Sequence, residues 1–472
     1  MKLKSTLLAL GMMLPASVFA TDYYIRTAAN GTGDGSSWDN AMAFETFYNS
    51  TTINSYDTGD TFYFAGGKYV FPSVIGIKKG YNFIGGFSPE LTGTENTLPT
   101  YPSATPTIFS GNKQLARILA ITTPSTTNEP FKIQGIEFTE AFNSAYTQTQ
   151  GALWFRDRSG IEVMNCRFYD NESTSASSDG MGGMALTAEQ SAIKIVDCEF
   201  FNNRAGARGG AIRLTDNDKK NGFTTIERCK IYNNSVKTKL GSAICVQHTQ
   251  ALNIVNTTIA NNTAGTGNEA IYIGAPDSNF KRVLNIISST IANNAGGNQV
   301  KMVKGNIANS IIVGCAGATT EAADAIALTS GGAAIVSGGN NVLETSSVAI
   351  TTTETDVNLA KENAYATVFG TNVLTDGVLV PVYKATGALA DALATTVKEW
   401  GVEGVDLTVD QNGTVRGETV PGAVKADIKD AISSVEVADK ADDAYYYTLS
   451  GIRVATSQKG IFIKNGKKVI IK

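Results

Sequence analysis

The feature that most narrows what this chain can fold into is a six-residue segment that returns about every thirty residues. It reads Cys-Arg-Phe-Tyr-Asp-Asn from Cys166, Cys-Glu-Phe-Phe-Asn-Asn from Cys198 and Cys-Lys-Ile-Tyr-Asn-Asn from Cys229. It continues as Thr-Thr-Ile-Ala-Asn-Asn from Thr257 and Ser-Thr-Ile-Ala-Asn-Asn from Ser289. Phe168, Phe200, Ile231, Ile259 and Ile291 are therefore equivalent, with gaps of 32, 31, 28 and 32 residues. Phe138 marks a degenerate earlier copy, and Ser310-Ile311-Ile312 a shorter later one. A glycine-led element interleaves with the first, as Gly-Gly-Met-Ala-Leu from Gly182, Gly-Gly-Ala-Ile from Gly209 and Gly-Ser-Ala-Ile from Gly241. Gly151-Ala152-Leu153 and Glu269-Ala270-Ile271 are weaker copies, and alternating pairs such as Ile193 and Ile195 or Leu252 and Ile254 form a third element. Apolar alternation with a period of two, rich in β-branched residues, marks strands.

A unit of three short strands cannot bury its own apolar face, whereas stacked units share one interior, with neighbouring strands about 4.8 Å apart. The expected fold is all-β: a right-handed parallel β-helix with a small C-terminal β-hairpin module. Phe168, Phe200 and Ile231 should stack inward, and so should Leu153, Met184, Ile212, Ile244 and Ile271. Their outward neighbours would be Trp154, Ala185, Arg213, Cys245 and Tyr272. The paired Asn suits a corner, because Asn tolerates left-handed backbone angles and its amide can bond the next coil. Glycine before Ala-Ile serves a second corner where φ is positive.

The alternation of Phe168-x-x-Asn171 and Phe200-x-x-Asn203 with Gly209-Gly210-Ala211-Ile212 resembles the polymorphic outer-membrane-protein repeat of bacterial surface β-helices. It covers about residues 136 to 314, with Ile replacing Phe in the later copies. The resemblance implies a pectin-lyase-like solenoid, often belonging to adhesins. The opening Tyr23-Tyr24-Ile25-Arg26, the glycine-rich run to Trp38 and the stretch from Asp60 to Tyr69 are similar to the starts of exported β-helix proteins of Bacteroidetes. From Tyr445 to Lys472, Leu-Ser-Gly, Lys-Gly-Ile-Phe-Ile and Lys-Val-Ile-Ile-Lys resemble a shortened type IX secretion sorting module. That likeness implies attachment to the outer-membrane surface through the tail. The expected divisions are a signal peptide at 1–20, an N-terminal cap and first coils at 21–130, and β-helix repeats at 131–345. Degenerate final coils and a cap follow at 346–430, including a short capping helix within 387–400, and the sorting-like segment occupies 431–472.

Lys2 and Lys4, the apolar stretch from Leu7 to Leu14 and the Val18-Phe19-Ala20 site read as a secretion signal, too short to span a bilayer. Export to the cell surface or medium is expected, with the periplasm as the other destination. Removing the signal takes the net charge from −4 to −6, which offers no basic footprint for nucleic acid. Asn465-Gly466 between two alternating runs is a hairpin signal.

Chemistry is the scarce commodity. One histidine excludes zinc sites built from two or more His. Cys166, Cys198 and Cys229 share one repeat position, read as stacked thiols in preference to a disulfide. Lyases and hydrolases of this architecture need a base or several carboxylates on adjacent coils, and Ala185 and Cys245 interrupt the outward ladder. Trp154, Arg156, Arg213 and Tyr272 are candidates for a sugar-stacking strip, with His248 as a further polar ligand. Asp216 and Asp218 open a segment resembling a calcium loop. A polar turn is the preferred reading, so the expectation is no cofactor, with Ca²⁺ as the alternative. The expected function is a secreted or cell-surface protein, adhesin-like or glycan-binding and non-catalytic. A polysaccharide lyase or glycoside hydrolase on an outward face is the alternative.

Overall fold

The computed structural model describes residues 20–122, 129–144, 151–174, 182–215, 223–247, 251–274, 283–329, 331–383, 385, 387–388, 390–416 and 421–425. In the tail it describes 446–447, 453–454, 460–464 and 467–471. The signal-like start lies outside the described residues but for Ala20. His248, Asp216, Asp218 and the Asn465-Gly466 turn lie outside them entirely.

Three long sheets wind around one interior. Sheet A has thirteen strands, from Asp22–Arg26 to Ile350–Thr351, sheet B eleven, from Gly67–Val70 to Val357–Leu359, and sheet C nine, from Ile75–Ile77 to Ile326–Leu328. Sheet D adds four two-residue strands, at Phe142–Asn143, Glu172–Ser173, Arg204–Ala205 and Ser235–Val236, just after sheet B. In these four sheets the strands pair in parallel, with a register shift between Thr61–Ala65 and Asn82–Phe87, and the repeat residues align from coil to coil, as Phe138 with Phe168, Phe168 with Phe200, and Phe200 with Ile231. This is the right-handed parallel β-helix expected. The chain divides into a unit ending at Lys425 and a second unit from Ala426 to Lys472, whose described strands are antiparallel. Gly460–Lys464 pairs with Lys467–Ile471 as a hairpin.

The repeat residues do what their chemistry allows. Phe138, Phe168 and Phe200 lie face to face inside the coil, with ring centroids 4.9 and 4.7 Å apart and planes within 6° and 2°. Each buried ring is worth about 1.5–3 kcal/mol of transfer free energy. The first Asn-type residue of each corner is left-handed, with φ between 53° and 57° at Asp170, Asn202, Asn233, Asn261 and Asn293. The second is buried and faces inward, so its amide must find partners in the stack. Asn234 Oδ1 accepts from the Asn203 backbone N–H at 3.0 Å and from Asn203 Nδ2 at 2.9 Å. Asn262 receives Asn234 in the same way, and the ladder ends where Asn294 Nδ2 donates to Gln299 Oε1 at 2.8 Å.

A second polar ladder turns the chain from sheet A to sheet B. Cys166, Cys198 and Cys229 are unlinked and buried. Each thiol faces the carbonyl two residues back, as Cys198 does Val196 at 3.3 Å. Thr257, Ser289 and Ser310 make the same bond at 2.8 Å. The position therefore selects a small donor, which Cys, Thr and Ser all provide. Burial, followed by the neighbouring thiols, pushes the Cys198 pKa well above its ordinary value.

The ends and flanks are closed by separate devices. Helix α1 (Phe44–Phe47) drives Phe47 among Phe62, Phe64 and Phe83 at the first coil, and α2 (Ser50–Ile53) follows it. Past the last coils the chain turns back along the outside. Helix α3 (Lys361–Phe369) packs on the sheet B strands Ile311–Val313 and Val342–Glu344, and its Ala364, Val368 and Phe369 join an apolar cluster that also holds Ala260 and Ala292. Helix α4 (Ala390–Lys398) lies on Val255, Ile287 and Ala308 of sheet A, so the helix expected to cap the end instead covers a side. Its Thr395 and Thr396 hydroxyls bond the carbonyls of Asp391 and Ala392, which reconciles them with the helix. Residues 404–416 and 421–425 then strap the corner between sheets A and B. There the buried Arg416 donates to Asn256 Oδ1 at 2.7 Å and to the Gly422 carbonyl at 2.9 Å.

Candidate functional site

The expected strip does fall on one face. Trp154, Arg213 and Tyr272 occupy one outward ladder of sheet C, but its sequence is Trp154, Thr187, Arg213, Cys245, Tyr272, Lys301. Ala185 is not a member, and Met184 is not inward. Leu186 takes the inward place and Thr187 the outward one. Gly183, with φ 64°, is the counterpart of Gly209, with φ 62°, so the corner starts later than the first glycine suggests. A slip of two residues preserves the in-out alternation and is invisible to it. Met184 instead packs with Ala205, Val236 and Ala264 beside sheet D.

The strip does not converge. Trp154 and Tyr272 stand four coils apart, about 19 Å at the usual strand spacing. Trp154 is only 8% exposed, its Nε1–H bonds Glu189 at 3.1 Å, and the Arg117 guanidinium covers its ring at 4.7 Å. That ring is committed to the fold and offers no face to a sugar. Arg156 is exposed, with its Nε 3.9 Å from both Asp157 and Glu189. Arg213, half-buried, donates to Gln247 Oε1 at 3.0 Å. Among the described residues no group of three His, Cys, Asp or Glu is placed to hold a metal ion.

Sheet B carries a stronger feature. The residue after each inward aromatic or Ile points out, and Tyr169, Phe201 and Tyr232 stack there with centroids 5.1 and 5.4 Å apart and planes within 13° and 8°. The residue before it alternates in charge along the helix axis: Glu137, Arg167, Glu199, Lys230. Arg167 bridges Glu137 at 3.2 Å and Glu199 at 2.7 Å. The remaining oxygens accept from Tyr169 at 2.9 Å and Tyr232 at 2.8 Å. Burial and then the bonded Glu137 raise the Tyr169 pKa, while Glu199 acts likewise on Tyr232. Each of the four carboxylate oxygens thus has a protein partner. Glu137 and Glu199, the obvious pair on this face, are poorly placed to exchange protons with a substrate.

Rings stacked on one another show edges, so only the ends of the ladder have a face to offer. At the C-terminal end, Gly377 closes over Tyr232, where a Cβ on that glycine would lie 2.7 Å from the ring. At the N-terminal end the next coil places the small Thr139 beside Tyr169, and a groove of about 790 Å³ opens there. Ile108, Phe142 and Tyr169 give it apolar surface, and Lys68, Lys113, Glu140, Asp170, Glu172 and Arg204 surround them. Lys68 holds Glu140 at 2.8 Å and, with Ser110, keeps its carboxyl below the usual range. Arg204 and Glu172 are 3.6 Å apart. Lys113 and Asp170 are exposed and, among the described residues, have no ion-pair partner. The groove is therefore apolar on one wall, rich in donors and acceptors elsewhere, and balanced in charge.

The sequence reading missed this site although its signal was present. Three successive copies carry an aromatic immediately after the inward residue, an outward position by parity.

Fold and surface together define a right-handed parallel β-helix whose outer face is decorated by ladders. The family described as right handed beta helix region matches residues 128–241, the coils that hold the Phe ladder and the first part of the Asn ladder. No curated protein and no solved structure matches the chain. No described helix is long and apolar enough to cross a membrane.

Proposed function

We propose that the protein is an exported, cell-surface β-helix that binds a neutral glycan without catalysis, in the groove beside Tyr169. The observation that carries this reading is Tyr169, which stacks on Phe201, has the Arg167 guanidinium 5.7 Å from its ring centroid, and lines a charge-balanced groove among hydrogen-bonding side chains. An aromatic face accepts the C–H side of a sugar ring, and paired charges around it serve hydroxyl groups without selecting a charged ligand. The pairing of the Glu137 and Glu199 carboxylates with Arg167, Tyr169 and Tyr232 favours binding over bond cleavage. The signal-like first twenty residues support export, and the sorting-like tail supports retention at the outer-membrane surface. Recognition in this reading needs no metal.

The test is calorimetric titration of protein beginning at Thr21 with neutral and acidic oligosaccharides, with and without Ca²⁺, followed by product analysis. Neutral oligosaccharides should bind, Ca²⁺ should not alter their affinity, and no product should form. Unsaturated or new reducing ends that track the folded protein would replace this account with a lyase or hydrolase. Binding confined to acidic sugars would move the site to the arginines of sheet C.

A further inference from the structure

A carboxyl group sits inside the solenoid wall with nothing to bond. Glu269 is 1% exposed, and neither of its carboxylate oxygens has a hydrogen-bond partner among the described residues. It stands two residues before the inward Ile271, at the corner leading into sheet C. Gly210 and Ser242 hold that position in the preceding coils and Asn298 in the next. The neighbours do not relieve it. Ser242 is fully buried with its own hydroxyl unpartnered, although its backbone N–H bonds the Glu269 carbonyl at 3.1 Å. Asn298 turns its amide away, to the Asp324 carbonyl at 2.7 Å.

The charged and titratable groups around this corner are Arg208 and Arg213 from the side of Gly210, Cys245 beyond Ser242, Tyr272 on the same strand and Lys301 on the next. Burial pushes the Glu269 pKa up to about 7, outweighing Lys301 and the nearby Glu269 and Gly241 backbone N–H groups. Those two amides lower the pKa by proximity but do not reach hydrogen-bond geometry. Burial likewise raises Cys245, against the opposing pull of Arg213 and Arg208. A carboxylate without partners in such a place is costly, whereas the neutral acid is tolerated.

We propose that Glu269 is a proton-controlled latch: held neutral, it lets the Gly241–Ser242 and Glu269–Ala270 segments close on each other, and loss of its proton opens that corner and uncovers the Cys245 side of sheet C. The sign follows from linkage. The folded-state pKa lies above the ordinary 4.5, so closure is complete in acid and weakens as pH rises toward about 7, then levels. This latch is independent of the glycan groove on sheet B.

Hydrogen exchange read by mass spectrometry tests it, with rates corrected for the intrinsic pH dependence of amide exchange. In wild-type protein, peptides covering 241–246 and 269–273 should lose protection by up to about tenfold per pH unit between about pH 5 and 7. Peptides covering 166–171 should stay flat over the same range and serve as the internal reference. Glu269→Gln, which mimics the neutral acid, should abolish the pH dependence at the corner. Flat protection at the corner in wild-type protein overturns the proposal, with or without a folded variant, and so does an unchanged slope in Glu269→Gln.

Discussion

One repeat position has two different lives along this solenoid. In the coils of Tyr169, Phe201 and Tyr232 it is aromatic, outward and half-buried. In the following coils the same ladder continues as Ala260, Ala292 and Val313, fully buried in the apolar cluster that the returning chain, α3 included, forms over sheet B. The backbone is the same in both halves. What differs is whether the returning chain covers it. Where α3 packs, the outward residue must be small and apolar. Where the wrap reaches only the Tyr232 end, at Gly377, the position can carry rings and charge, and the other end of that aromatic stack borders a groove. The difference teaches that the C-terminal wrap, as much as the repeat, decides which face remains available for recognition.

Substitutions can break this contrast at graded strength. The largest effect belongs to the interior that both halves share. Phe200→Ala removes the end of a face-to-face stack and should cost about 3–5 kcal/mol in denaturant unfolding of the solenoid unit. The covered half comes next. Ala292→Tyr places the side chain of the bare coils inside the apolar cluster that α3 shares, and overpacking should cost about 1–3 kcal/mol while increasing hydrogen exchange across 361–369. Smallest is the bare half, where Phe201→Ala should cost about 0.5–1.5 kcal/mol because its ring edge already meets water. Equal losses for Phe200→Ala and Phe201→Ala would erase the distinction between the inner and outer faces of one strand.

Much of the fold was legible because the repeat encodes it twice, in periodicity and in corner chemistry. Phe168, Phe200 and Ile231 declare an interior, and the paired Asn declare a left-handed corner followed by a buried amide ladder. The register at Met184 was not legible, since a two-residue slip leaves the in-out period unchanged while giving the inward place of Met184 to Leu186. Only the positive φ at Gly183 distinguishes the two alignments. The course of 361–425 was also beyond the sequence. Its helix α4 is recognisable, but the partners Val255, Ile287 and Ala308 lie more than eighty residues away and carry no local mark of being covered. The candidate site suffered from a related blindness. Trp154 looked available as an exposed aromatic, yet Arg117 and Glu189 from neighbouring coils occupy its face and its edge. Tyr169 looked like one more repeat residue, yet the small Thr139 beside it leaves room for a ligand.

The central claim is that the free end of the aromatic ladder, and not the ladder as a whole, recognises a sugar. The most direct measurement is calorimetric titration of whichever neutral oligosaccharide binds wild-type protein into Tyr169→Ala and Tyr232→Ala, each checked for intact unfolding behaviour. The two rings sit at equivalent positions and bond equivalent glutamates, but Gly377 closes over the second. Tyr169→Ala should weaken binding by about tenfold or more, about 1.4 kcal/mol, while Tyr232→Ala should leave it nearly unchanged. Equal losses in both variants, or undiminished affinity in Tyr169→Ala, would contradict the account.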